Sequence, residues 1–384
     1  MASLAHRIKN ALHPFRRIRR EMSAKIDKLQ DDIAKIHQLD EVRKAIAFER
    51  FYHSQNENIS ADFSKNHFLL FDYPYHFVYA CGNLGDEIQS IATKNAIDCV
   101  VANASYGYFG RDYLAYYNAH KQKIANGGGG CKYAIAIMQG WFAHTYDFLP
   151  PKNILPIFIG THFTDYIQSY LLYLLARCPY YFDDKTIGCR DLYTLEFCQK
   201  LGLNAYLSRC LTLTLPKRKL KPSQNKIFFV GLPDSFLPFI PKDIKNQAER
   251  INQQAFMSGN LTSHHFFDAA NTLLERYKNE AKLIITSALH CASPCTAMGI
   301  PVILCQQNDE QLTRFSALDG ILPIYTLDDF KKKRVDFSPS APDIEQLKSA
   351  MLENLSLSLQ ESRGENVDLK RLLECREYIK NFRV

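Results

Sequence analysis

Two small-residue turns about 200 residues apart carry the residue types best suited to chemistry in this chain. The first is Gly82-Asn83-Leu84-Gly85-Asp86-Glu87-Ile88-Gln89. The second begins Thr286-Ser287-Ala288-Leu289-His290 and runs through Pro294, Ala297 and Gly299 to Pro301-Val302. Each reads as strand, turn, helix. A helix N-terminus offers free N–H groups and partial positive charge, so two such turns facing one another would hold an anion. In the first turn, Gly82 and Gly85 mark places where backbone must come close to something. Asp86, and likewise Asn83, is either a helix cap or a contact for ligand hydroxyls, with general-base duty open to Asp86. In the second, His290 stands where a helix N-terminus lowers the imidazole pKa unless an anion is bound, which suits proton exchange near neutrality.

Four other places are candidates. Arg190 ends a strand just before a helix that starts at Asp191. Its guanidinium either binds phosphate or carboxylate in bidentate fashion or pairs with Asp191 to shape the turn. Trp141, the chain's single tryptophan, and His144 follow a strand end at Met138, where an aromatic face would stack on a pyranose or anchor the core. His162 is a weaker acceptor-side candidate, and Ser287 and Arg314 are weaker donor-side ones. The Gly127 to Gly130 run reads as a flexible loop.

The elements that must position these residues alternate in type. Short apolar runs at His67 to Phe71, His76 to Cys81, Asp98 to Ala102, Tyr133 to Met138, Ile154 to Ile159, Thr186 to Cys189 and Ala205 to Leu207 read as strands. Glu87 to Asn95, Phe163 to Ala176 and Asp191 to Leu201 read as helices. That is an α/β half (60–216) with a mostly parallel sheet. After the polar stretch Pro216 to Asn225, the scheme repeats in a second α/β half (226–340). There Lys226 to Val230, Lys282 to Thr286, Val302 to Cys305 and Leu322 to Tyr325 read as strands, with a helix at Phe266 to Asn279. A helical segment (343–384) is expected to pack back on the body. Upstream, Met22, Ile26, Leu29, Ile33, Ile36, Leu39, Val42 and Ile46 repeat every three or four residues. Residues 1–50 therefore read as a basic arm and an amphipathic helix, which either forms a dimerising coiled coil or packs on its own body.

Composition narrows the function classes. A 46% apolar, 12% aromatic chain of 384 residues is neither disordered nor too small for two domains. It has no apolar run long enough to span a bilayer and no secretory leader, so it is expected in the cytoplasm. The formal charge of +7 is concentrated in residues 1–25, where seven basic groups face only Glu21. That argues for one arm touching anionic lipid at the inner membrane, not for a nucleic-acid surface. The 11 cysteines include no C-x-x-C pair, and no Asp-x-Asp triplet occurs, so neither a metal nor a cofactor is expected.

At both turns the chain resembles the polysaccharide pyruvyl transferase family, marked by an early G-N-x-G-D and a late T-S-R-L-H-x-x-x-P-x-x-A-x-G-x-P-V. Gly140-Trp141-Phe142-Ala143-His144 with Pro150-Pro151, Ile187 to Thr194, and Leu207 to Pro216 agree with it too. The resemblance implies GT-B-like architecture, two doubly wound Rossmann-like halves facing a cleft. It also implies transfer of pyruvate as a ketal from phosphoenolpyruvate to a sugar during bacterial surface polysaccharide synthesis. His290 and Asp86 would be catalytic. Arg190, Gly82, Asn83, Gly85, Ser287 and Arg314 would bind donor, and Trp141, His144 and His162 the sugar or lipid-linked glycan acceptor. The chain departs from the motif at Ala288, where the family carries arginine; Arg314 or Arg209 are the cations considered in its place. That departure motivates the alternative, a glycosyltransferase for capsule or lipopolysaccharide with a sugar-nucleotide donor. A non-catalytic scaffold, held as a homo-oligomer by the N-terminal helix, has no physical need for Asp86, Arg190 and His290.

Overall fold

The computed structural model describes residues 22, 25, 28, 35, 37–55, 63, 65–117, 133–259, 262–307 and 313–384. The basic arm, most of residues 22–36 and the Gly127 to Gly130 run lie outside them. Residues 37–54 are helical and press Glu41, Ala45 and Phe48 onto the chain's own first half.

In chain order the first half contains β1 (His67–Asp72), α1 (Pro74–Val78), β2 (Cys81–Asn83), α2 (Leu84–Val100), β3 (Ser105–Gly110), β4 (Ala134–Ile137), β5 (Gly140–Phe142), β6 (Ile154–Ile157), β7 (Thr161–Phe163), α3 (Asp165–Arg177), β8 (Ile187–Cys189), α4 (Leu192–Lys200) and β9 (Ala205–Leu207). The second continues with β10 (Lys226–Val230), α5 (Lys242–Gln247), β11 (Ala248–Ile251), β12 (Gln254–Phe256), α6 (Ser263–Glu280), β13 (Ala281–Thr286), α7 (Leu289–Ala297), β14 (Val302–Gln306), β15 (Ile324–Thr326) and α8 (Leu327–Lys331). Helices α9 (Glu345–Ser362) and α10 (Leu369–Asn381) close the chain.

The architecture is mixed α/β with parallel sheets. One sheet has the order β3-β1-β4-β6, a second β5-β7-β8-β9, and a third, in the second half, β11-β10-β13-β14-β15. The first two run into one another, because β4 leads to β5 and β6 to β7 across short bends where Met138 N–H donates to Ile157 O and Gly188 N–H to Phe158 O. In both halves the chain's second strand flanks the first on one side and the third on the other. The connections therefore reverse beside β1 and beside β10, leaving a crevice at their carboxyl ends. Strands such as β1, buried at four consecutive positions, have both faces covered, as parallel strands do.

Helix α2 is the axle between the halves. Leu84, Ile88, Ala92, Ala96 and Ile97 are buried in a core that also takes in Ile284, Leu304, Leu347, Leu355 and Ile379. An antiparallel ribbon, β2 with β12, joins the halves a second time. Among the described residues, no helix is long and apolar enough to cross a membrane.

Two readings of local structure are corrected. Residues 76–81 begin helically, not as a strand, since Pro74 sits in the first turn of α1 with its φ preset for a helix. Residues 98–100 end α2, and the strand is instead β3, whose S-Y-G-Y-F-G sequence hides it behind two glycines. The C-terminal stretch is two helices, parted at Gly364 with φ +69°.

Candidate active site

A pocket of ≈ 310 Å³ opens at the carboxyl ends of parallel strands from both halves. Gly82, Asn83, Asp86, Trp141, His144, His290 and Arg314 line it, together with Tyr75, His76, Cys81 and Gln254. The two turns face each other across it. A Cβ built on Gly85 would lie 3.0 Å from His290 Cβ, so this glycine is what lets the turns touch. Gln253 ties them together: its carbonyl accepts Leu84 N–H at 2.9 Å, and its side-chain amide donates to His290 O at 3.3 Å. Asn83 caps α2, its side chain accepting Gly85 N–H at 3.1 Å.

Asp86 is the hub of the first-half wall. It accepts hydrogen bonds from Tyr75 Oη at 3.3 Å and Gln89 Nε2 at 3.2 Å. His76 Nε2 lies 3.5 Å and Arg111 Nη1 3.7 Å from its carboxylate. Burial opposes its ionisation, but His76 and Arg111 overcome that and hold its pKa down to about 2. His76 is bracketed by two carboxylates, since its Nδ1 also meets Glu87 Oε1 at 2.7 Å. Burial lowers its pKa and the two carboxylates more than offset this, pushing it up to about 9. The imidazolium stacks on Tyr73 with centroids 5.2 Å apart.

His290 is the opposite case. It is buried, and its Nε2 has no hydrogen-bond partner among the described residues. Burial, then the charges of Arg190, Arg314 and Arg111, hold its pKa well below the ordinary imidazole value against the pull of Asp86. It is a neutral imidazole in a cationic surround. His144, half-buried between Tyr75 (4.9 Å) and Trp141 (5.3 Å), is also depressed by burial.

Other sequence candidates stand one layer back. Arg190 is fully buried: Nε meets Asp191 Oδ2 at 3.4 Å and Nη1 meets Gln89 Oε1 at 3.5 Å, while Nη2 has no partner among the described residues. His162 does not line the pocket; its Nδ1 faces Asp191 Oδ2 at 2.6 Å. Ser287 is buried within the second turn, outside the pocket lining. Arg314 sits over the Trp141 ring, 5.9 Å from its centroid.

Arg209 does not serve this pocket. With φ +58°, it donates to the carbonyls of Ile379, Ala317, Asp319 and Phe382, fastening the chain's end to the body. Sequence reasoning missed Tyr75, His76 and Gln254 in the lining, and Arg111 behind it. Arg111 is fully buried against Asp112 at 3.0 Å, with Nη1 lacking a hydrogen-bond partner among the described residues. Two buried N–H donors, on Arg111 and Arg190, thus want an acceptor around one pocket, and His290 Nε2 stands unpartnered beside them.

The model of the family described as polysaccharide pyruvyl transferase matches residues 83–309, from the cap of α2 to just beyond β14. The chain belongs to the polysaccharide pyruvyl transferase family. It is therefore a transferase, and the matched span holds the first turn from Asn83 on, the second turn, Trp141, Arg190 and His290. No curated protein matches this pyruvyl transferase family member. His76 and Tyr75 lie upstream of the match, so the family pattern does not reach one wall of the pocket.

Proposed function

We propose that this transferase takes phosphoenolpyruvate as donor and closes a cyclic pyruvate ketal on two hydroxyls of one sugar in a bacterial surface glycan. The halves are read as a GT-B-like pair with the reaction between them. The observation that carries the reading is the pair of buried donors without a hydrogen-bond partner among the described residues, Arg111 Nη1 and Arg190 Nη2, beside the Arg314 guanidinium. Leaving a buried donor unmet costs about 1–3 kcal/mol, so this wall is built for anionic oxygens. Phosphoenolpyruvate brings a phosphate and a carboxylate. Arg314 supplies a cation to the pocket in place of the one absent at Ala288.

Neutral His290 is suited to take the acceptor hydroxyl's proton at Nε2 as that oxygen attacks C2 of the donor. Asp86, ionised at any physiological pH, faces the positive charge that develops at C2. The phosphate then leaves with the bonding electron pair and accepts the second hydroxyl's proton as the ketal closes. Trp141 and His144 offer a wall for the pyranose. The basic residues 1–25 would keep the enzyme at the inner leaflet, close to a lipid-linked acceptor.

Thermal unfolding with phosphoenolpyruvate, UDP and CMP side by side tests the donor. Phosphoenolpyruvate alone should stabilise the protein, by about 2.7 kcal/mol at a hundredfold excess over Kd, and Arg190→Ala should abolish the effect. Stabilisation by a nucleotide alone would overturn this reading in favour of glycosyl transfer, the alternative that Ala288 motivates.

A further inference from the structure

We infer that His76, oriented by Glu87, is the acid that delivers a proton to the methylene carbon of the donor. The inference rests on phosphoenolpyruvate being that donor. Ketal formation needs one proton put onto carbon and two taken from hydroxyls, so a base alone cannot complete it. The geometry of His76 is that of a carboxylate-oriented imidazole: Nδ1 is held by Glu87 at 2.7 Å, while Nε2 has only a loose 3.5 Å approach to Asp86 and belongs to a ring on the pocket wall. The ring is fixed by Tyr73 below, by Tyr75 edge-on at 4.5 Å, and by Phe266 of the second half at 5.6 Å. Gly82 covers it with no side chain of its own.

The charged and titratable neighbours all favour a proton here. Asp86 and Glu87 of α2 face the ring, Arg111 is compensated by Asp86 and Asp112, and Tyr73 and Tyr75 stay protonated. Glu87, whose Oε2 lacks a hydrogen-bond partner among the described residues, also acts on the half-buried Asp72, whose pKa is raised to about 6 by burial and by Glu87. Across the pocket, His290 is neutral. Two imidazoles driven apart in this way divide acid from base work.

The step balances. The His76 Nε2–H bond breaks and the donor's C=C pair forms the new C3–H bond, making a methyl group and an electron-poor C2. The acceptor oxygen bonds to C2 as its proton passes to His290. The C2–O bond to phosphate breaks with its electron pair leaving on phosphate, the second hydroxyl's oxygen bonds to C2 in its place, and phosphate carries off that hydroxyl's proton. His76 ends neutral and His290 protonated, and one proton moves back through solvent.

The test uses full-length enzyme labelled with ¹³C-histidine, with phosphoenolpyruvate binding followed by calorimetry and ring assignments made with His76→Gln. In the complex at pH 7.5, the donor's vinyl protons should show cross-relaxation to the His76 ring, and that ring should carry the imidazolium chemical shift. Glu87→Gln, which keeps the ring and its packing, should convert that signal to the neutral form. Binding with vinyl contacts to His290 or His144 only, or with His76 neutral, overturns the assignment and leaves the donor reading standing. An absence of binding by calorimetry overturns both.

Discussion

Replacing Gly82 with alanine puts a methyl group where the His76 ring already is. The added Cβ would lie 2.5 Å from Nδ1 and 2.8 Å from Cβ of His76, with Cγ closer still. Carbon and nitrogen centres settle near 3.5 Å or beyond, so the ring must retreat by about 1 Å. Tyr73 and Phe266 stand around it, so the retreat strains the packing, at about 1–3 kcal/mol. The same movement opens the 2.7 Å bond to Glu87, a charge-assisted bond worth about 1.5–3 kcal/mol. Gly82→Ala should therefore lose roughly 2.5–6 kcal/mol, a large share of a stability that is ordinarily about 5–15. The part due to the bond depends on pH. His76 has a folded pKa of about 9, above its unfolded value near 6.5, so its contribution is complete below pH 6.5 and disappears as pH rises through 9. From the pKa difference that contribution is at most about 3 kcal/mol, in line with the bond's own range. Urea unfolding of both proteins at pH 6 and pH 9.5 measures it: the gap should be wide at pH 6 and narrow to the packing strain at pH 9.5. An unchanged midpoint at pH 6, or a gap of equal width at both values, refutes the reasoning.

Two further outcomes follow from the same geometry. His290→Gln preserves volume but removes the neutral base, and should lower the rate of phosphoenolpyruvate-dependent phosphate release by roughly 10²- to 10⁴-fold while the circular dichroism melt stays within a few degrees of wild type. Arg209→Ala leaves the four carbonyls of Ile379, Ala317, Asp319 and Phe382 without their donor, so unfolding free energy should fall by about 3–5 kcal/mol, with amide exchange in α10 accelerating first. Exchange that accelerates equally in β1 would show that the chain's end is not fastened through this residue.

What the sequence makes legible here is what depends on neighbours in the chain. The first turn declares itself because Asn83, Gly85 and Asp86 must sit side by side to cap and open a helix. The second does so because a strand ends at Thr286 just before a run of small residues. His76 escaped notice because an aromatic run without clear period hides a helical turn that only Pro74 announces. Arg111 follows a strand that two glycines disguise, and nothing local shows that an arginine there is buried against carboxylates 25 residues upstream. Arg209 misleads for the converse reason: its four acceptors are backbone groups over 100 residues away, which no side-chain pattern records.

The ribbon of β2 with β12 bears on how substrates come and go. Gln254–Phe256 of the second half is laddered to Cys81–Asn83 of the first, with Ala255 opposite Gly82 itself. The strand that carries the first glycine turn thus belongs to the first half by chain order and to the second by its ladder of hydrogen bonds. Swinging the halves apart like a book would tear that ladder, so donor and product have to pass through the mouth of the pocket while its floor stays shut. For the same reason, neither half expressed as a fragment can present the turn in working order.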